Sequence, residues 1–143
     1  MSAPLPPEAP GGSARRRARE RALQALFSAD LGSGESFQIY WEAFGEEDDA
    51  SREQAEALVR SVELHRTRID GLIEECSTNW RIKRMARVDR NILRLAAGEM
   101  LTADAPKSVV INEAIEIAKR YGGEGSPAFV NGVLDRLATK IGR

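Results

Sequence analysis

The hydrophobic and polar positions of this chain repeat with helical spacing along most of its length. From Ala14, small and apolar residues recur every three or four positions and stop at Gly32, which predicts a first helix. The same spacing appears in four later stretches: 51–76, 85–104, 109–121 and 126–141. No stretch alternates apolar and polar residues as a half-buried strand does. The pattern therefore predicts an all-α fold.

Local signals mark where these helices begin and which of them is most buried. Ser51 and Gln54 form a capping-box pattern at the start of a long helix. Ser126 is predicted as an N-cap and Pro127 as the first helical residue of the last helix. The helix 109–121 is apolar on most sides, so we expect it to be the central buried helix.

The remaining segments frame one domain over residues 14–143. Residues 1–13 hold four of the six prolines and are expected to be a disordered leader. The aromatic-rich segment 35–44 predicts a short helix that inserts its rings into the core. A polar break at 77–79 divides the domain into two packed helical bundles, at about 14–78 and 79–143.

Charge is unevenly distributed, although the net charge of the 143 residues is only −1. Five arginines and one glutamate fall within 15–21, further basic residues lie in 81–94, and acidic residues dominate 42–56. A basic segment of this kind commonly binds nucleic-acid phosphates. It is equally compatible with a solvated helix face, and charge alone leaves both interpretations open.

Few residues of the chain have side chains suited to catalysis. We expect His65 to be an exposed helical residue and Cys76 to be a buried, inert thiol. One histidine and one cysteine are too few for a zinc-type cluster, so we expect no metal, no cofactor and no enzymatic activity. The lone cysteine and the lack of a long apolar run predict a cytoplasmic protein with no membrane segment. The glycine-rich segment 122–125 lacks the lysine of a phosphate-binding loop and is interpreted as a turn between helices.

Five segments in sequence order resemble the NusB family of bacterial transcription antitermination factors. They are 14–20 (ARRRARE), 24–27 (QALF), 88–96 (VDRNILRLA), 110–119 (VINEAIEIAK) and 129–135 (FVNGVLD). The resemblance implies two packed three-helix bundles with no catalytic activity. It also implies that the protein pairs with NusE, a small-subunit ribosomal protein, and binds boxA RNA. In this family the complex joins elongating RNA polymerase with other Nus factors, and a homodimer that covers the arginine segment is a further state that the family suggests.

The resemblance and the helical spacing together nominate RNA-binding residues. The family's RNA-contacting arginine motif falls on Arg15, Arg16, Arg17 and Arg19. Gln24 lies on the same helical stripe as Arg17 and is expected to hydrogen-bond base edges. Phe27 and Phe129 are candidates for stacking on bases, and each is alternatively a core aromatic. If Arg16 contacts a phosphate, its replacement by alanine should weaken RNA binding and reduce the slope of log K against log salt by roughly 0.7.

The same resemblance nominates a surface for NusE and shows two departures from the family pattern. Arg94 and Glu99 are the candidate NusE contacts, and the alternative is an exposed ion pair on an amphipathic helix. Gly98 stands where an aromatic residue is common, and Gly125 replaces a common acidic residue. Losing that acid is expected to strengthen RNA binding. Asn131 and Gly132 are interpreted as structural, with Gly132 permitting close helix packing.

The sequence is compatible with two other functions. One is a helical protein-interaction module whose arginines are merely solvated. The other is the RNA-targeting domain of an enzyme related to ribosomal RNA cytosine methyltransferases, which carry a similar domain. The second is disfavoured because the chain shows no cofactor-binding domain and no Pro-Cys nucleophile motif.

Overall fold

The computed structural model describes residues 14–33, 49–78 and 80–143, and within these ranges the chain forms six α-helices and no strand. The helices are α1 (Ala14–Ser28), α2 (Asp49–Leu64), α3 (Arg66–Cys76), α4 (Arg87–Thr102), α5 (Lys107–Tyr121) and α6 (Ser126–Lys140). A π-helical turn, Ala29–Ser33, extends α1, and a 3₁₀ turn, Ile82–Arg84, precedes α4. The all-α prediction is confirmed. The predicted leader 1–13 and the predicted short helix 35–44 lie outside the described residues.

The long helix predicted over 51–76 is in fact two helices. They meet at His65, whose backbone has φ −111° and ψ 20°. No proline or glycine marks this break, so the spacing of apolar residues misses it. The prediction that Ser51 caps the helix is also wrong, because α2 begins at Asp49. Ser51 instead lies on the buried face that continues through Ala55 and Val59.

The central helix is α4, and the expectation that 109–121 would be the central helix is wrong. All ten residues from 91 to 100 are buried, and α4 packs against α1, α2, α3, α5 and α6. Helix α5 buries only one face. The sequence pattern concealed the burial of α4 because Asn91, Arg94 and Glu99 are polar. Each of them is buried and forms a hydrogen bond with a residue from another element.

Gly98 lies where α4 packs closely against α2. A Cβ at this position would lie 3.1 Å from Val62 Cγ2 and 3.4 Å from Ser61 Oγ. The Gly98 carbonyl accepts hydrogen bonds from Ser61 Oγ at 3.2 Å and from Thr102 Oγ1 at 2.7 Å. The close-packing role predicted for Gly132 is wrong, because a Cβ there would meet only the Arg136 guanidinium, at 3.6 Å.

The turn between α5 and α6 is held by Ser126. Its Oγ donates to Asp89 Oδ1 at 2.6 Å and accepts from the Gly123 N–H at 3.0 Å. The prediction that Ser126 is the N-cap is wrong: the N-cap of α6 is Gly125 and Ser126 is the first helical residue, so the helix begins one residue earlier than predicted. Burial raises the pKa of the Asp89 carboxyl, and the Ser126 hydrogen bond opposes that rise. The prediction that 122–125 forms a turn between helices is confirmed.

One continuous buried cluster unites the described helices. It contains apolar side chains from α1 through α6, including Cys76, whose thiol is free. Burial raises the pKa of that thiol, as expected for an unreactive cysteine. The division at 78/79 stays a prediction. None of the helices in the described ranges has the length and apolarity that a membrane crossing requires.

Candidate nucleic-acid interface

The arginines of α1 differ widely in their exposure. Arg15 is exposed, and the Arg16 side chain keeps 41% of its surface accessible. Arg17 is half-buried, whereas Arg19 and Arg21 are buried. The helix turns one side toward the core at Ala18 and Ala22, so only the beginning of the basic segment reaches solvent.

Arg16 forms a bidentate ion pair with Glu113 of α5. Its Nε donates to Glu113 Oε1 at 3.1 Å, and its Nη2 donates to Oε2 at 2.8 Å. The hydrogen bond from Arg16 holds the pKa of the Glu113 carboxyl below its ordinary value. The same contact raises the pKa of the Arg16 guanidinium. The two residues are therefore both charged near neutral pH and cancel each other.

Arg19 forms a second and deeper bidentate pair with Glu99 of α4. Its Nε and Nη2 donate to the two Glu99 carboxylate oxygens, and both side chains are only 8% exposed. Arg19 Nη1 also lies 3.8 Å from Glu113 Oε1. Glu99, Arg19, Glu113 and Arg16 thus form a line of alternating charges, the α1 ion-pair chain, which runs from the core to the surface.

A cleft of about 380 Å³ lies beside this chain, between α1 and α5. Its lining residues are Arg16, Glu20, Glu116, Ile117, Lys119 and Arg120. The Arg120 guanidinium lies 3.8 Å from Glu20 and stands 5.3 Å from the centre of the Tyr121 ring. Gln24 hydrogen-bonds Tyr121, which places this predicted RNA-binding residue at the same seam between the two helices.

The two candidate stacking aromatics occupy different environments. Phe27 is 6% exposed and buried at the end of α1, as the core-aromatic alternative requires. Phe129 is half-buried in the first turn of α6, where it packs against the core. Its N–H donates to the carbonyl of the exposed Gly125. Phe129 therefore keeps part of its ring accessible next to the α5–α6 turn.

Arg94, a predicted NusE contact, lies in a separate buried network. It donates to Asp70 at 2.9 and 3.1 Å and to Asp30 at 3.2 Å. Arg90 and Asn91 also donate to Asp30, and these five residues are the α4 network. Burial raises the pKa of Asp30, but the hydrogen bonds and positive charges of its partners outweigh it and lower that pKa overall. Only 5% of Arg94 is exposed.

Glu99, the other predicted NusE contact, is buried and paired with Arg19, but it reaches a surface groove. The groove has a volume of about 620 Å³ and lies between α1, α2 and the α4–α5 connection. Arg15 and Arg19 line it together with Glu99, and apolar side chains such as Leu58 and Pro106 form much of the rest. Arg94 does not line this groove.

Sequence reasoning missed the acidic partners of the arginines. Glu113, Asp30 and Asp70 carry no spacing signal that links them to α1 or α4, since they lie far away along the chain. The available signal was their position beside buried stripes: Glu113 directly precedes the buried Ala114, and Asp70 directly follows the buried Ile69. An acid at the edge of an apolar stripe is a candidate partner for a basic residue on a neighbouring helix.

Comparisons with known proteins place this arrangement among its relatives. The model of the NusB family matches residues 16–139. The transcription antitermination protein NusB of Anaeromyxobacter dehalogenans is 53% identical over 132 residues, which cover 90% of this chain and 93% of that protein. The corresponding protein of Geobacter sulfurreducens is 49% identical over 132 residues, with 90% and 96% covered.

Solved structures agree with the sequence comparison. A crystal form of T. maritima NusB superposes with a TM-score of 0.83 at 40% identity and covers 91% of this chain and 94% of its own. NusB in a crystal structure of the antitermination factors NusB and NusE in complex with double-stranded RNA superposes with a TM-score of 0.78 at 31% identity. That match covers 89% of this chain and 97% of the other.

Proposed function

The chain belongs to the NusB family of transcription antitermination proteins, and we propose that it works by binding single-stranded boxA RNA through the exposed arginines of α1, together with the ribosomal protein NusE. A relative has been crystallised with NusE and double-stranded RNA, which supports both partners. We propose that the RNA contacts α1 and the neighbouring α5–α6 turn.

The observation that carries the RNA-binding surface is the exposure of Arg15 and Arg16 at the start of α1. Guanidinium groups bind phosphates bidentately and also stack on unpaired bases. Arg17, Gln24 and Phe129 are half-buried next to this surface, and we propose that they contact the same RNA. For the buried Arg19 and Phe27 we propose a supporting role, in which they hold α1 against α4 and the core.

We propose that NusE docks at the groove lined by Arg15 and Glu99. Glu99 then acts at the edge of the contact surface while it keeps Arg19 in place. Arg94 acts from beneath, because its hydrogen bonds to Asp70 and Asp30 hold α3 and the end of α1 against α4. Loss of Arg94 should therefore weaken NusE binding only as far as it loosens this packing.

The proposed function is non-catalytic. Among the described residues, no three His, Cys, Asp or Glu side chains come together in a group that could hold a metal ion. The single cysteine is buried and its pKa is raised, which disfavours the thiolate that a nucleophile requires.

We also propose that the RNA-bound complex joins RNA polymerase with other Nus factors, and that a homodimer hides the arginines when RNA is absent. Sedimentation with and without RNA tests the homodimer, because RNA should then shift a dimer toward monomer.

The deciding experiment is fluorescence anisotropy of boxA RNA and of a base-scrambled RNA, each titrated with the chain alone and with NusE at several salt concentrations. Tighter binding of boxA than of the scrambled RNA when NusE is present supports the proposal. Equal and strongly salt-dependent binding of both RNAs would reduce the protein to a general polyanion binder. Absence of binding would favour a protein-interaction module.

A matched pair of variants locates the surface. Arg15→Ala should weaken RNA binding and reduce the slope of log K against log salt by about 0.7, the loss of one single-strand phosphate contact. Lys140→Ala removes another exposed cation, at the C-terminal end of α6, where Lys140 pairs with Glu75, and should leave the slope unchanged. Equal effects of the two substitutions would mean that the RNA responds to net charge and not to α1.

A further inference from the structure

We propose that Glu113 masks the charge of Arg16, so that this carboxylate sets both the strength and the salt dependence of RNA binding. The inference rests on the proposed RNA-binding function and assigns to Glu113 a role in that function. Phosphate and Glu113 are competing ligands for one guanidinium. Removal of the Glu113 charge should therefore tighten RNA binding.

The contact geometry makes Glu113 a direct competitor of phosphate. Its two carboxylate oxygens accept hydrogen bonds from Nε and Nη2 of Arg16 at 3.1 and 2.8 Å. A phosphate binds an arginine through the same pair of N–H groups. A phosphate that approaches Arg16 therefore meets a neutral pair in place of an isolated cation. Such a pair contributes little to the counterion release that drives RNA binding.

Exposure distinguishes this pair from the other bidentate pair of α1. Arg19 and Glu99 are each 8% exposed, so RNA has no access to that contact. In the outer pair, the Arg16 side chain is 41% exposed and the Glu113 side chain is 19% exposed, so the arginine is accessible from solvent. The Arg16–Glu113 pair is thus the pair in the α1 ion-pair chain that a phosphate can open.

The inner part of the α1 ion-pair chain lowers the free-energy cost of exchanging Glu113 for a phosphate. When a phosphate takes Arg16, the Glu113 carboxylate is still 3.8 Å from Arg19 Nη1. The displaced carboxylate therefore keeps a positive neighbour and does not become an unpaired buried charge, which would be costly. Arg19 also keeps its own bidentate contact with Glu99, so α1 remains attached to α4.

The test is a double-substitution cycle of Arg16→Ala and Glu113→Gln, read by anisotropy with RNA across a salt series. Glutamine keeps the shape of glutamate and removes its charge. Glu113→Gln should tighten RNA binding about twofold to fivefold at low salt and steepen the salt slope by about 0.7. The gain should vanish when Arg16 is alanine. In the unsubstituted chain, Arg16→Ala should flatten the slope by less than about 0.7, because Glu113 already neutralises that arginine.

Glu116→Gln is the matched control. Glu116 lies on the same helix as Glu113 but pairs with Lys119 at 3.0 Å, at the surface. Its substitution changes the net charge by the same amount without opening the Arg16 contact. An equal gain from Glu116→Gln overturns the proposal, because net charge would then explain the effect. Weaker RNA binding by Glu113→Gln with an unchanged circular dichroism spectrum also overturns it, since Glu113 would then orient Arg16 for RNA.

The unsubstituted chain in the same titrations separates this inference from the proposed function. If the chain binds neither boxA nor scrambled RNA, with or without NusE, the proposed function fails. If it binds RNA and Glu113→Gln changes neither affinity nor slope, the proposed function stands and the masking role is wrong.

Discussion

The arginines at the start of α1 and two arginines of α4 look alike in the sequence but differ in their environments. Arg15 and Arg16 begin α1 at the surface, whereas Arg90 and Arg94 lie under the surface in the α4 network. Arg16, Arg90 and Arg94 are each paired with carboxylates. Arg90 and Arg94 share Asp30, which accepts hydrogen bonds from several residues, whereas Arg16 pairs with Glu113 at an edge that faces solvent.

This difference shows that a run of basic residues predicts charge but not availability. A buried guanidinium is stable only when carboxylates and hydrogen bonds replace the water it has lost. The α4 network provides these partners from the π-helical turn and from α3. Its arginines therefore hold helices together, whereas Arg15 and Arg16 at the start of α1 keep surface that solvent reaches.

The largest expected effect is on the interior side of this comparison. Arg94→Ala should lower the free energy of unfolding by about 3 kcal/mol, because it leaves Asp30 and Asp70 without a shared buried cation. Urea denaturation at neutral pH measures this. Lys140→Ala, which breaks an exposed pair with Glu75, should cost less than about 0.5 kcal/mol. A loss below about 1 kcal/mol for Arg94→Ala would mean that the α4 network stabilises the fold no more than a surface ion pair does.

Asp30→Asn tests the same network through pH. The folded-state pKa of Asp30 is lowered from the ordinary 3.8, so its charge stabilises the fold above that pH and this stability is lost as the pH falls through the lowered value. Asp30→Asn should cost about 2 kcal/mol at pH 7. The difference from the unsubstituted chain should shrink on acidification below pH 3.8. Urea denaturation at a series of pH values measures both quantities.

Asp89→Asn is the control with the opposite sign. Burial raises the folded-state pKa of Asp89, so its contribution favours folding below the ordinary pKa and is lost as the pH rises through the raised one. Asparagine still accepts the Ser126 hydrogen bond and should not destabilise the protein at pH 7. Parallel pH profiles for Asp30→Asn and Asp89→Asn would contradict the assignment.

Gly98→Ala tests how tightly α4 is enclosed. A methyl group there would lie 3.1 Å from the buried Val62 Cγ2, so we expect a loss of about 1 kcal/mol in the free energy of unfolding. Gly71→Ala is the matched control: a Cβ on Gly71 meets nothing within 4 Å. That substitution should stabilise α3 by up to about 1 kcal/mol. Thermal or urea unfolding that moves both variants in the same direction would contradict this account.

The smallest expected effect lies on the surface side. Gly125 is exposed, and its Cβ position is open, so Gly125→Asp fits without strain. The added carboxylate should weaken RNA binding about twofold at low salt through repulsion of phosphate. Gly125→Asn has nearly the same shape without the charge and should retain RNA affinity. Equal affinities for the two variants, measured by anisotropy, would place the RNA away from the α5–α6 turn.

Helical periodicity predicted the helices but not their depth. The stretches 85–104, 109–121 and 126–141 correspond to α4, α5 and α6 within a few residues. The pattern ranked α5 as the central helix because it treats Arg94 and Glu99 as solvent-facing. It also joined α2 and α3, since the break at His65 has no proline or glycine to mark it.

For the candidate site, the sequence alone determined the basic segment, the family resemblance and the residues that carry both. These properties are local, because an arginine cluster and a helical repeat are each contained in a few turns of chain. It did not determine which arginines face solvent. Arg16 and Glu113 are separated by 97 positions, and Arg19 and Glu99 by 80. Only the tertiary structure brings such groups together. Because the interaction energy of a charge depends on its neighbours and its burial, the fold decides which arginines hold the protein together and which remain accessible at the surface.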